Sequence, residues 1–129
     1  MLGQGEGGVV PLGGAGEYGA LSRAERNRMA GLSVQAMRGK GPVIAGVLDT
    51  GFHGALQSGR EFAAHGLDGL LVLTPFYTVP TQGGIRDYFL RYADASPVPI
   101  LIYEIPYRTR IAINPKTLHE LSRHERIIA

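Results

Sequence analysis

GLDGLLVLTPFYTVPTQGGIRDYF, residues 66–89, sets a continuous apolar run at 69–74 ahead of a proline- and glycine-rich loop and a helical pattern. The run does not alternate apolar with polar residues, as expected of a parallel strand covered on both faces. Over 84–93, Ile85, Tyr88, Phe89 and Tyr92 recur at helical spacing on one face. This unit of strand plus helix repeats roughly every 30 residues along the chain. The other strand candidates are GVVPLG (8–13), PVIAGV (42–47) and PILIYEI (99–105), with a further strand expected to start at Ile127. Ser22 and Glu25 form a capping box that opens a helix to Arg38, with Gly39 as its stop. The 53–65 segment places Ala55, Leu56, Gly59, Phe62 and Ala63 on one face. Asn114 and Pro115 open a last helix that carries Leu118 and Leu121 inward.

An alternation of this kind has two solutions, an open doubly wound sheet or a closed barrel. In both, chemistry collects at the carboxyl ends of the strands, which directs attention to residues 13–19, 48–50, 74–82 and 103–110.

A chain of 129 residues makes at most one domain, and an apolar fraction of 44% is enough to form a core. The formal net charge is only +2 and the basic residues are scattered, which argues against a nucleic-acid partner. The absence of cysteine excludes a disulfide framework and a thiolate metal site. MLGQGEGG has neither the basic nor the apolar region of a signal peptide, and no apolar run approaches the roughly 20 residues that span a bilayer. A cytoplasmic protein is expected.

Gly14, Gly16 and Gly19 fit G-x-G-x-x-G, the spacing of a dinucleotide pyrophosphate cradle. Such a cradle needs the helix to start within the motif, whereas the capping box starts it at Arg23. Glu17 would repel a pyrophosphate. Asp49, cast as the ribose acid, lies roughly 30 residues past Gly19 where about 20 is usual. Turn glycines without a ligand, or a nest of backbone N–H groups for a small carboxylate, are the remaining readings.

Linked motifs narrow the choice. GGAGEYGALSRAER resembles the G-[ST]-T-G-E-x-x-x-L-x-x-x-E segment of the dihydrodipicolinate synthase/N-acetylneuraminate lyase family. PVIAGV, GLDGLLVLTPFYTVPTQGGIRDYF and PILIYEIPYRT match its next landmarks in order and spacing. The resemblance implies a (β/α)8 TIM barrel, present here over residues 1–129 as about half a barrel. Strands two to five would be included with their helices; the first strand and helix and the C-terminal half would be missing. It also implies a lyase or aldolase that joins a lysine to pyruvate or another 2-oxo acid as a Schiff base, as in 4-hydroxy-tetrahydrodipicolinate synthase, with no separate cofactor or metal and with homo-oligomers at full length.

The same resemblance assigns residues. Tyr103, in LIYEIP, falls on the catalytic tyrosine that shuttles protons near the imine. Tyr77, in TPFYTVP, falls on a tyrosine that reaches a neighbouring subunit's site in the synthases. Arg108 matches an arginine that binds a second substrate's carboxylate, a task suited to a planar fork. Gly14 and Ala15 occupy the positions that bind the 2-oxo acid's carboxylate, and Glu17 is a loop-organising acid.

Three departures stand out. Gly14 and Ala15 replace two hydroxyl residues, so the hydroxyl linking the two tyrosines is absent. Glu104 replaces an asparagine, and Arg110 a glycine, near the mouth where specificity is set. A subfamily acting on a different 2-oxo acid fits these changes. The family's imine-forming lysine would fall two residues past Ala129, and the chain as it stands is expected to be inactive. A non-catalytic remnant of the family and a doubly wound dinucleotide-binding domain are the alternatives.

Overall fold

The structure, a computed structural model, describes residues 7–129; most of the MLGQGEGG segment lies outside them. Three parallel strands form the sheet in sequential order: β1 (Ile44–Val47), β2 (Gly69–Leu73) and β3 (Ile100–Tyr103). Ile44 pairs with Gly69, and Leu70 with Ile100. No strand order reverses around β1, as a doubly wound sheet would require.

The outer segments correct the strand count. Residues 8–13 do not form a strand; Val9 makes one isolated parallel bridge to Val43. The Val9 N–H donates to the Pro42 carbonyl at 3.0 Å, and the Pro11 carbonyl accepts from Gly46 N–H at 2.9 Å. Pro11 has no N–H to return, so the ladder stops there. On the other edge Ile127 bridges Ile100, where the fifth strand was expected, again as an isolated bridge.

Four helices alternate with the strands: α1 (Arg23–Met37), α2 (Phe52–Ala63), α3 (Gln82–Ala95) and, after the single turn α4 (Pro106–Thr109), α5 (Pro115–Leu121). The Ser22–Glu25 capping box is present in full. Thr81 caps α3, its hydroxyl accepting from Gly84 N–H. Successive helices touch side by side. Arg23 of α1 pairs with Glu61 of α2, the Tyr92 hydroxyl of α3 donates to the Ala55 carbonyl of α2 at 2.9 Å, and Arg86 of α3 lies 3.6 Å from Glu120 of α5. Leu118 corrects the expected inward face of α5. It is exposed, and Thr117 is buried beside Leu121 in its place.

The helices cover one face of the sheet. Ala45, Leu70 and Ile100 lie in register on that face and are fully buried. Leu71 and Leu101, on the opposite face, are half-buried, although apolar strands of this kind were expected to be covered on both sides. Tyr103 shares the opposite face, because side chains alternate along a strand.

Gly59 marks the tightest helix approach. A methyl group there would overlap the Tyr92 hydroxyl and the Leu70 side chain. Gly59→Ala is therefore expected to destabilise the fold by about 1–3 kcal/mol through overpacking. Urea denaturation would read this as a lower midpoint with an unchanged slope.

Candidate functional site

The chain leaves Val9 and folds over the carboxyl end of β1 as an irregular turn. Leu12 is left-handed, with φ 64°, and buried. A Cβ at Gly46 would overlap the Leu12 carbonyl, so the turn rests directly on the strand. Gly16 N–H donates to the Gly13 carbonyl at 3.0 Å and Glu17 N–H to the Gly14 carbonyl at 3.3 Å. Glu17 is left-handed as well, with φ 53°, and leads into a 3-10 turn at Tyr18–Ala20. Among the described residues, Gly14 N–H and Ala15 N–H donate to no backbone acceptor.

Tyr18 anchors this turn. Its hydroxyl donates to Asp49 Oδ2 at 2.7 Å, just past β1. Arg26 Nε donates to the Tyr18 carbonyl at 2.9 Å. The same guanidinium lies 3.9 Å from the Tyr18 ring centroid, with Nη1 3.5 Å from Asp49 Oδ1. Asp49 is thus engaged with Tyr18 and Arg26. Burial, and then the hydrogen bond to Asp49, push the Tyr18 phenol up to about 12.

At the end of β3 two predicted site residues meet the glycine turn. A Cβ built on Gly14 would lie 3.4 Å from Arg108 Nη1 and 3.6 Å from the Tyr103 hydroxyl. Tyr103 is half-buried and Arg108 exposed. The backbone of Tyr103 is held from β2: its carbonyl accepts from both the N–H and the hydroxyl of buried Thr74, each at 3.1 Å. Ala15 lies in the same turn and is exposed. Among the described residues, Tyr77 makes no side-chain hydrogen bond to this cluster. It is 93% exposed and left-handed at φ 77°, in a loop where Val79 is also exposed.

Two residues outside the predicted set hold the loop that carries Arg108. The Glu104 carboxylate accepts from Ile113 N–H at 2.7 Å, closing residues 104–113 into a tied loop. Gln82, the first residue of α3, donates to the Ala112 carbonyl and accepts from Asn114 N–H, both at 2.9 Å. Glu104 was expected to bear on specificity at the mouth; its carboxylate is instead spent on this backbone tie. No spacing rule in the sequence flags the Gln82 contact, which joins segments 30 residues apart. Among the described residues, no group of three or more His, Asp or Glu side chains could hold a metal ion, and no helix is long and apolar enough to cross a membrane.

A parallel sheet in sequential order, with helices on one face and a glycine turn, a phenol and an arginine gathered at its carboxyl end, defines the class as a β/α protein. The chain belongs to the dihydrodipicolinate synthetase family, whose sequence profile matches residues 1–129. It is 38% identical over 125 residues to the 4-hydroxy-tetrahydrodipicolinate synthase of Gluconacetobacter diazotrophicus, covering 97% of this chain and 42% of that protein. It is similar to the crystal structure of dihydrodipicolinate synthase from Aquifex aeolicus, with a TM-score of 0.90 and 31% identity over 97% of this chain and 43% of that one. It is also similar to the chloride-inhibited dihydrodipicolinate synthase from Acinetobacter baumannii complexed with pyruvate, with a TM-score of 0.93 and 27% identity over 97% of this chain and 43% of that one. The chain spans about two fifths of the length of the curated relatives it matches.

Two outcomes follow from this geometry. Arg110, in place of the expected glycine, is left-handed at φ 61° and ends α4. Arg110→Gly is expected to raise stability by up to about 1 kcal/mol, the relief of left-handed strain exceeding the added entropy of the unfolded chain. Arg110→Val should lower it by a similar amount, both read by urea denaturation. Tyr18 stays protonated in the fold up to about pH 12, while the unfolded phenol ionises near pH 10. Its contribution is therefore complete below about pH 10 and is lost as pH rises toward 12. Burial raises Tyr88 and Tyr92 in the same direction. The thermal midpoint should fall steeply on the alkaline side, and less steeply in Tyr18→Phe.

Proposed function

We propose that these 129 residues are the strand-two-to-five portion of a (β/α)8 barrel and carry the carboxylate-binding and proton-shuttling part of a Schiff-base lyase acting on pyruvate or another 2-oxo acid. The observation that carries this reading is the meeting of Gly14, Arg108 and the Tyr103 hydroxyl at the carboxyl end of the sheet. Backbone N–H groups of the Gly14–Ala15 turn would hold the substrate carboxylate, as a nest does. Tyr103, fixed by Thr74, would pass protons to and from the carbon skeleton as the imine forms and breaks. The two missing hydroxyls set the chain apart from the synthase pattern and favour a different 2-oxo acid.

The exposed Tyr77 and Val79 fit a loop that meets another subunit, so the full-length protein would be a homo-oligomer with Tyr77 contributing across the interface. A cytoplasmic location and the absence of a nucleic-acid partner remain part of the same proposal.

The imine requires a lysine amine partly deprotonated by its surroundings. The chain has two lysines. Lys40 is exposed in the turn between α1 and β1, at the amino end of the sheet, and Lys116 is exposed in the first turn of α5. Neither is at the site. The imine-forming lysine belongs on the strand that opens at Ile127, two residues past Ala129.

With pyruvate and borohydride, the 129-residue chain is expected to stay unmodified by mass spectrometry. A chain extended through the next strand and the rest of the barrel should gain a stable pyruvyl adduct. A mass shift on Lys40 or Lys116 would sink the assignment, as would an extended chain that forms no adduct.

A further inference from the structure

Gly14 has no side chain, and the space its Cβ would take is bordered by two groups from the end of β3. Arg108 Nη1 lies 3.4 Å and the Tyr103 hydroxyl 3.6 Å from that point. A Cβ alone would fit at van der Waals contact. A Ser or Thr hydroxyl at this position would come within reach of both the guanidinium and the phenol. The guanidinium therefore stands over the very turn whose Gly14 and Ala15 N–H groups have no backbone acceptor among the described residues. Arg108 forms no ion pair among those residues, and its guanidinium carbon lies 5.7 Å from the Tyr107 ring centroid. The loop bearing it is tied at Ile113 by Glu104 and at Ala112 and Asn114 by Gln82, which limits how far it can swing away.

A planar cationic fork beside a turn whose two successive N–H groups have no backbone acceptor among the described residues suits a single carboxylate. We propose that Gly14 is a specificity-determining residue: its missing side chain lets Arg108 and the Gly14–Ala15 amides bind the same carboxylate, the 2-oxo acid's own. The resemblance assigns Arg108 to a second substrate's carboxylate; in this chain that duty passes to the first. The guanidinium takes over binding that a hydroxyl at position 14 would otherwise provide, and the seat favours the anion through full charge. The inference rests on the reading of the turn as a 2-oxo acid site, and its test separates the two.

Pyruvate is titrated into the chain extended through the rest of the barrel, following the Gly14 and Ala15 amide signals by NMR. The chains compared are the unaltered protein, Arg108→Gln, Arg108→Lys, Gly14→Ser and the Gly14→Ser/Arg108→Gln double variant. Arg108→Gln should weaken pyruvate binding tenfold or more, as expected for loss of a charge-assisted contact, and Arg108→Lys should restore part of it. Gly14→Ser should also weaken binding, and the double variant should be no worse than the weaker single one, because both changes remove the same contact. Retained spectral dispersion identifies the variants that are folded. If folded Arg108→Gln binds pyruvate within twofold of the unaltered chain, or if the two losses simply add, the shared seat is wrong while the 2-oxo acid site stands. If pyruvate moves neither amide in the unaltered chain, the reading of the turn fails and the inference falls with it.

Discussion

A single carboxylate, Asp49, holds the working end of this sheet together. It accepts the Tyr18 hydroxyl and lies beside the Arg26 guanidinium, so the end of β1, the glycine turn and the first turns of α1 share one charged centre. The turn needs such a tether. It contains two non-glycine residues in the left-handed region, Leu12 and Glu17, a conformation that persists only where the surroundings over-determine it. Burial of Tyr18 strengthens its bond to Asp49 by excluding water. These contacts hold the turn that carries Gly14 and Ala15 against the first turn of α1.

The opposite wall of the site is built differently. Tyr103 is fixed through its own carbonyl by Thr74, and the loop beyond it is closed by side chains that reach backbone groups far along the chain. Glu104 and Gln82 do for residues 111–114 what a strand would otherwise do, supplying an acceptor and a donor to an irregular stretch. The arginine at the rim is thereby presented by a braced loop, although its own side chain is exposed.

Much of this architecture was legible in the residues. The all-apolar runs located β1, β2 and β3, and the capping box located α1, because both signals are local and strong. The expected strand at 8–13 failed for a reason also present in the sequence, since Pro11 cannot donate to the ladder. Leu118 was misplaced because α5 is short and offers Thr117 as a buried alternative. The linked motifs singled out the glycine turn, Tyr103 and Arg108, and the fold brings Gly14, Tyr103 and Arg108 together at the end of β3. The roles of Asp49, Glu104 and Gln82 were not legible in the sequence, because each depends on a long-range contact to backbone or phenol that leaves no periodic trace. Arg110 reads as a departure at the mouth in the sequence, whereas its backbone angle explains why a glycine suits that position.

Sequential strand order has a consequence for how the chain reaches this state. β1 pairs with β2 and β2 with β3, so every strand finds its partner in the next unit along the chain. Pairings between neighbours close short loops, which keeps the entropic barrier to each one low. During synthesis each unit can dock on the one before it as soon as its strand and helix emerge. The growing sheet always presents one fresh edge, and the half-buried face bearing Leu71 and Leu101 stays open to solvent throughout. With that face and the fresh edge both open, the growing sheet is the stage at which the nascent chain is most exposed to aggregation.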